Sequence, residues 1–236
     1  MQLDKLLQSQ GFGSRKHCQY LIQSGHVKVD DKMIENEKAK FQPEHLNFSV
    51  FDESYLYREK VYIALNKPQG YECSHQPQQH HSVFELFPDH LRLRNIQTVG
   101  RLDQNTTGLL LLTDDGQFLH QLTHPRKHVA KYYRMTTYSD IVAEQIQQLQ
   151  QGVSLKNEKG IFQAQDVLQL AQRELRFAID QGVYHQVKRM LIAVGNEVQA
   201  LHRDQIGQLT LDALQLEVGQ WCYLSTDEIQ LTKQHA

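Results

Sequence analysis

The stretch Gly100-Arg101-Leu102-Asp103-Gln104-Asn105-Thr106-Thr107-Gly108 sets a carboxylate beside an arginine in a loop bracketed by Gly and Thr. The apolar run Leu109-Leu110-Leu111-Leu112 follows at once and ends in Thr113-Asp114-Asp115-Gly116. A short apolar run bounded by turn residues reads as a buried strand, here closed by an Asp-Gly turn. Asp103 is thereby expected on the rim of a sheet, where catalytic groups tend to be mounted on a rigid scaffold. One ionised carboxylate in that position can attack a carbon or remove a proton. The plainer alternative is an aspartate that only caps its own turn.

Three separated segments carry further candidates. Val129-Ala130-Lys131-Tyr132-Tyr133 places aromatic rings inside a window, Gly116 to Ser139, that has no acidic residue but holds Arg126, Lys127, Lys131 and Arg134. Tyr184-His185-Gln186-Val187-Lys188-Arg189-Met190 falls in a second acid-free window, Gly182 to Asn196. Leu201-His202-Arg203, followed by Ile206-Gly207, closes a strand. The formal net charge is only −2, yet local positive windows of this kind are what a phosphate-contacting face requires. His120, His124 and His128 recur at four-residue spacing among thirteen histidines, which on one helix would form a metal-ligand face. Pro125 interrupts such a helix and no Glu or Cys completes a ligand set, so surface or RNA-facing histidines are expected and no metal site. A second carboxylate for glycosidase-style acid and base work is missing too, since Asp114 and Asp115 are committed to the turn and the next helix cap.

The elements that must position these groups divide the chain in two. To about Val50, Leu3, Leu6 and Leu7 sit at helical spacing, and Ser14 can cap a second helix with the apolar stripe Cys18, Leu21 and Ile22, stopped by Gly25. Val27 and Val29 then alternate with polar residues, Asp30-Asp31 turns, and Met33-Ile34 begins a return strand. Residues 51–60 read as a linker. Beyond it, Val61-Leu65 predicts a strand ending in Asn66-Lys67-Pro68, and Ser82-Val83-Phe84-Glu85 a capping box opening a short helix. Strands follow over Lys131-Thr137 and Glu174-Asp180. Helices are expected around Ile141, Val142, Ile146 and Leu149, closed by Gly152, and over Gln186-Val194, stopped by Gly195. Strands interrupted by isolated helices imply an α+β domain around a mixed, mostly antiparallel sheet over residues 61–236.

A chain of 236 residues, 40% hydrophobic, can bury a real core in one large or two unequal domains. No apolar run approaches the roughly 20 residues that cross a bilayer, so no membrane partner is expected. The N-terminus carries no signal-peptide pattern. Three scattered cysteines, Cys18, Cys73 and Cys222, suit a reducing cytoplasm and offer neither a disulfide framework nor a zinc site.

The first 45 or so residues, with the Leu3-Asp4-Lys5 opening, the Ser14-Arg15 helix start and the Gly25-His26-Val27-Lys28-Val29 step, resemble the S4-like RNA-binding module. That resemblance implies that Arg15, Lys16 and Lys28 face RNA. The ordered set of Asn66-to-Tyr71, Gly100-to-Gly116, Lys131-to-Tyr133, Leu155-to-Lys159, Tyr184-to-Met190 and Leu201-to-Arg203 resembles the pseudouridine synthases that modify ribosomal RNA, in their small-subunit branch. The resemblance implies an isomerase that turns one uridine of 16S rRNA, free or in a small-subunit assembly intermediate, into pseudouridine. Asp103 would be the catalytic carboxylate, Lys188 its cation and Tyr133 the ring that stacks on a flipped uracil. Arg101 and Arg189 would contact RNA, and Leu201 would line the pocket. No cofactor is implied, because nothing is oxidised and no group leaves; the expected form is a monomer. A paralogue acting on 23S rRNA and a non-catalytic rRNA-binding assembly factor are the alternatives. Gln181-Gly182-Val183 departs from the branch, which usually carries a basic residue where Val183 stands.

Overall fold

The computed structural model describes residues 1–124 and 127–234, and the chain divides into two compact units. The first comprises Met1–Val61 with Phe84–Gln97, the second Tyr62–Val83 with Thr98–Ala236. Pro125 and Arg126, invoked above for a helix break and for positive charge, lie outside the described residues.

In the first unit, helices α1 (Leu3–Ser9) and α2 (Arg15–Gln23) precede a sheet of β1 (Val27–Val29), β2 (Lys32–Met33), β3 (Asn47–Val50) and β4 (Glu53–Leu56), in the order β2-β1-β3-β4. The apolar stripe expected from the sequence forms the core: Leu3, Leu6, Leu7, Cys18, Leu21 and Ile22 are all buried, with Val27, Val29, Phe48 and Val50 beneath them. Burying each of the larger side chains contributes roughly 1.5–3 kcal/mol. Ser14 caps α2 by accepting from the His17 N–H at 3.2 Å. Residues 51–60, expected as a linker, instead contain β4, which pairs antiparallel with β3 from Asn47↔Leu56 to Val50↔Glu53. The sequence signal was weak because the burial pattern of β4 is nearly all exposed, so no alternation marks it. Helix α3 (Asp89–Leu93) belongs to this unit. Its His90 ring stacks on Phe12 at 5.6 Å, and Arg94 donates to Gln10 Oε1 and the Arg58 carbonyl.

The second unit runs through β5 (Tyr62–Lys67), β6 (Tyr71–Glu72), β7 (His81–Ser82), β8 (Gln97–Thr98), β9 (Thr106–Thr113) and α4 (Gly116–Thr123). It continues with β10 (Lys131–Thr137), α5 (Ala143–Gln151), β11 (Gln165–Ala171), β12 (Glu174–Ile179), α6 (Gln186–Ala193) and β13 (Val198–Ile206). Its last elements are β14 (Leu209–Thr210), α7 (Leu211–Leu214), β15 (Trp221–Tyr223) and α8 (Thr226–Leu231). The main sheet has the order β11-β12-β10-β13-β9-β5-β15. Neighbours along it are antiparallel except β13 and β9, which run parallel. This is the mixed, mostly antiparallel sheet of an α+β domain. The segment after Ser82 forms a 3-10 turn, Val83–Leu86, and the Ser82 hydroxyl donates to the Ser74 carbonyl.

Strand β9 explains why the run of leucines is continuous. Leu109, Leu110, Leu111 and Leu112 are all fully buried, so both faces of the strand are covered and no polar residue alternates in. Asp115 accepts from the Gln117 N–H and starts α4, whose Phe118 and Leu122 close over Leu109 and Leu111. Gly108 sits where β9 passes β13. Its φ is +102°, and a Cβ there would meet the Arg203 carbonyl oxygen at 2.2 Å. Gly108→Ala is therefore expected to cost about 2–4 kcal/mol through strain and overpacking, lowering Tm by roughly 5–15 °C. A thermal melt within a degree of the parent protein would contradict this reading of the strand crossing.

Candidate active site

Asp103 lies in the loop that enters β9, and a buried lysine organises that loop. Lys67, at the end of β5, is fully buried, and its ammonium donates to the carbonyls of Pro68 (3.0 Å), Asp103 (3.2 Å), Gln104 (3.4 Å) and Thr106 (3.0 Å). Burial pushes this ammonium below its ordinary value, while the nearby Cys73 and Asp103 act in the opposite sense. Further bonds tie the loop down. The Thr106 N–H donates to the Asp103 carbonyl, the Gly70 N–H to the Gln104 carbonyl, and the Leu102 N–H to Cys73 Sγ. The backbone under the carboxylate is thus fixed at several points.

The side chain is fixed as well. Lys188 Nζ donates to Asp103 Oδ2 at 2.6 Å and to Asn105 Oδ1 at 2.8 Å, and His185 Nε2 lies 3.1 Å from Asp103 Oδ1. Lys188 stands in the first turn of α6, where the positive end of the helix dipole disfavours a cation. The Asp103 carboxylate offsets that cost. Val187, Met190 and Leu191 bury the opposite side of α6 and hold it against the domain.

These groups open onto a cleft of about 350 Å³. Its walls include Arg101, Asp103, Lys131, Tyr133, Val183, Tyr184, His185, Lys188, Leu201 and Arg203. Tyr133 and Leu201 are both buried, on the neighbouring strands β10 and β13. Strand alternation sends Tyr132 to the other face, where its hydroxyl donates to Asp166 at 2.6 Å and Arg176 covers its ring. Burial first, and then the Asp166 bond, push the Tyr132 phenol up to about 12. Arg203 is 2% exposed. Its Nε donates to the Leu109 carbonyl at 2.8 Å, its Nη1 lies 3.4 Å from the Tyr133 hydroxyl, and its Nη2 has no partner among the described residues. The arrangement gives one clamped carboxylate, an aromatic wall and a cationic floor, suited to holding a flat, uncharged base and its phosphate-bearing neighbours.

Comparison with known proteins decides the family. Residues 61–193 match the family model described as RNA pseudouridylate synthase, and residues 1–46 match the S4 domain. Ribosomal small subunit pseudouridine synthase A of Escherichia coli strain K12 is 39% identical over 231 residues, spanning 97% of this chain and 98% of its own. The protein of that name from Vibrio cholerae is 36% identical over 229 residues, with 97% and 98% covered. The chain belongs to the RNA pseudouridine synthases. A crystal structure of a pseudouridylate synthase superposes with a TM-score of 0.69 at 32% identity, over 98% of this chain and 99% of that one.

Of the residues singled out from the sequence of this pseudouridine synthase, Arg101, Asp103, Tyr133, Lys188 and Leu201 line the one cleft. Arg189 does not. Its guanidinium donates to Glu158 at 3.0 Å, to the Tyr184 carbonyl at 3.0 Å and to the Lys156 carbonyl, so it pins the loop before α6. Arg15 likewise donates to Asp4 at 2.7 Å. Burial by itself would raise that carboxyl; the bonds from Arg15, Gln19 and the Lys5 N–H outweigh it and hold Asp4 below its ordinary range. Lys28 forms an exposed pair with Asp52 at 2.6 Å, a kind worth little and easily exchanged for another anion, and Lys16 is exposed. His128 bonds Asp180, while His120 and His124 rings approach to 4.7 Å. Among the described residues, no group of three or more His, Cys, Asp or Glu side chains converges on a common point.

The sequence alone gives no role to Lys67, His185 or Arg203, and counts Lys131 only within a basic window. The available signal was charge inside buried strands: Lys67 ends an otherwise apolar β5, and Arg203 sits between buried positions of β13. Lys131 donates to the Val129 carbonyl, and burial, with Arg203 nearby, pushes its amine down to about 8 from 10.5. A lowered folded-state value means that the unfolded chain binds more protons between these limits, so stability rises with pH across that window. Lys131→Met is expected to raise Tm at pH 7, with the gain shrinking between about pH 8 and 10.5. A gain that does not vary with pH would contradict the assignment of that charge.

Proposed function

We propose that this pseudouridine synthase converts one uridine of 16S (small-subunit) ribosomal RNA into pseudouridine, with Asp103 as the catalytic carboxylate. The observation that carries the assignment is the Asp103 carboxylate held by Lys188 at 2.6 Å in a cleft walled by Tyr133 and Leu201. The near full-length similarity to enzymes named for the small subunit supports the choice of RNA. The reaction breaks the C1′–N1 bond, turns the base and joins C1′ to C5; the C5 proton leaves to water and N1 becomes an N–H. Asp103 serves by attacking, or by taking a proton from the sugar, as C1′–N1 breaks. A base inside an RNA helix is out of its reach, so the nucleotide is extruded into the cleft. Stacking on Tyr133 is worth roughly 1–3 kcal/mol, comparable with the unstacking cost. Arg101, exposed at the cleft, meets the neighbouring phosphates.

The first unit grips structured RNA through Lys16 and Lys28, with Arg15 keeping α2 in place. Every residue invoked in the chemistry comes from one chain, so a monomer suffices. The substrate is 16S rRNA or a small-subunit assembly intermediate, in the cytoplasm where ribosomal RNA is processed. No helix among the described residues is long and apolar enough to cross a membrane.

Tritium release from 5-tritiated transcripts tests the substrate: release from 16S and none from 23S RNA is expected, and the reverse pattern would overturn the assignment. Lys188→Met is expected to lower turnover by roughly 100-fold or more while RNA affinity stays within about twofold, because the half-buried Asp103 carboxylate loses the cation that holds it. Full turnover in that variant would remove Lys188 from the mechanism.

A further inference from the structure

We infer that Lys131 is a further catalytic residue, whose ammonium receives the negative charge that gathers on the uracil carbonyls as C1′–N1 breaks; this rests on the reading of the cleft as the uridine site. When that bond breaks, its electron pair leaves with the base, and the charge spreads over N1, O2 and O4. Asp103 meanwhile bonds to C1′ or takes a proton from the sugar. An electron pair of the ring then joins C5 to C1′, and Asp103 is freed or returns its proton. The C5 proton leaves to water as N1 becomes an N–H. Asp103 and Lys188 are matched to each other at 2.6 Å, so the charge on the base needs a different cation.

Lys131 supplies that cation. Lys131 and Tyr133 stand on the same face of β10, about 6–7 Å apart along the strand, and both line the cleft. A ring stacked on Tyr133 has its edge within reach of the lysine side chain. Lys131 Nζ donates to the Val129 carbonyl at 2.9 Å, its one hydrogen-bond partner among the described residues, so its remaining N–H groups are left for a substrate. Burial first, then the like charge of Arg203, push the amine down to about 8, so at pH 7 it still carries its proton. Asp180, the acid acting in its favour, is itself bonded to His128 at 2.9 Å. Arg203 also lines the cleft, buried and with Nη2 unpaired. A buried cation is ordinarily matched by an acid, and leaving it unmatched costs stability. Two such cations in one cleft suit an anion that forms there during the reaction. RNA phosphates fit Lys131 less well, since it sits between buried Ala130 and Tyr132, whereas Arg101 is exposed.

Lys131→Met and Lys131→Arg test the role, with Asp103→Asn and the parent protein alongside. Each is read as single-turnover tritium release from 5-tritiated 16S transcript, RNA affinity and Tm. The loss of one preorganised donor to developing charge predicts release about 100-fold slower in Lys131→Met, with affinity within about threefold. Its Tm at pH 7 is expected above the parental value, because an unmatched charge has gone; a residue that merely supports the fold would lower Tm. Lys131→Arg keeps a cation and is expected to be at least about tenfold faster than Lys131→Met. Parental release from Lys131→Met, or Arg as slow as Met, would overturn the inference. A loss carried by affinity would put Lys131 on the RNA phosphates, and a lowered Tm would make it part of the frame; either result overturns it too. An inactive parent, or an Asp103→Asn protein as active as the parent, would defeat the functional reading itself. An active parent, a silent Asp103→Asn and an unaffected Lys131→Met would defeat the inference about Lys131 alone.

Discussion

The ion pair between Asp103 and Lys188 is the interaction to which the rest of the second unit is fitted. A carboxylate at the wall of a cleft gives up part of its water and needs donors on its oxygens. A lysine in the first turn of a helix is disfavoured unless an anion stands beside it. Each side chain removes the other's difficulty at 2.6 Å. The two belong to segments 85 residues apart in the chain, so the fold must bring the entrance of β9 to the start of α6. The parallel pairing of β9 with β13, next to the antiparallel β10, supplies the common platform.

Positive charge is buried in this unit to an unusual degree. Lys67 and Arg203 are among its largest fully buried side chains, and Lys131 lies against the cleft with its amine pushed down to about 8. Buried cations normally need paired acids. Lys67 is satisfied by four backbone carbonyls instead, which converts its desolvation cost into a rigid Asp103 loop. Arg203 is satisfied on two of its nitrogens and leaves Nη2 unpaired. Of these cations, Lys131 and Arg203 line the cleft, while Lys67 lies behind it and holds the loop.

Much of the frame could be read from residue order. The stripes of α1 and α2, the Ser14 cap, the apolar β9 and the boundaries of β10 and β12 follow from periodicity and turn chemistry. The exposed β4 could not be read this way, because a strand lacking a buried face has no alternation to reveal it. Asp103, Tyr133, Lys188, Leu201 and Arg101 are singled out by an ordered set of motifs. Their gathering in one cleft depends on β9, β10, β13 and α6 meeting, which spacing alone does not state. The partners of Arg15 and Arg189 were equally out of view: an arginine in a basic window looks the same whether it faces phosphate or its own fold. Lys67 and Arg203 were hidden by the reverse bias, since charged residues are ordinarily expected outside.

Single-turnover conversion of 5-tritiated 16S RNA by Asp103→Asn, with RNA binding measured on the same preparation, separates chemistry from recognition. The substitution keeps the size of the side chain and its contact with Lys188 while removing the anion. RNA should bind with parental affinity and release no tritium above background. Conversion at a rate near that of the parent protein would show that the reacting group is elsewhere.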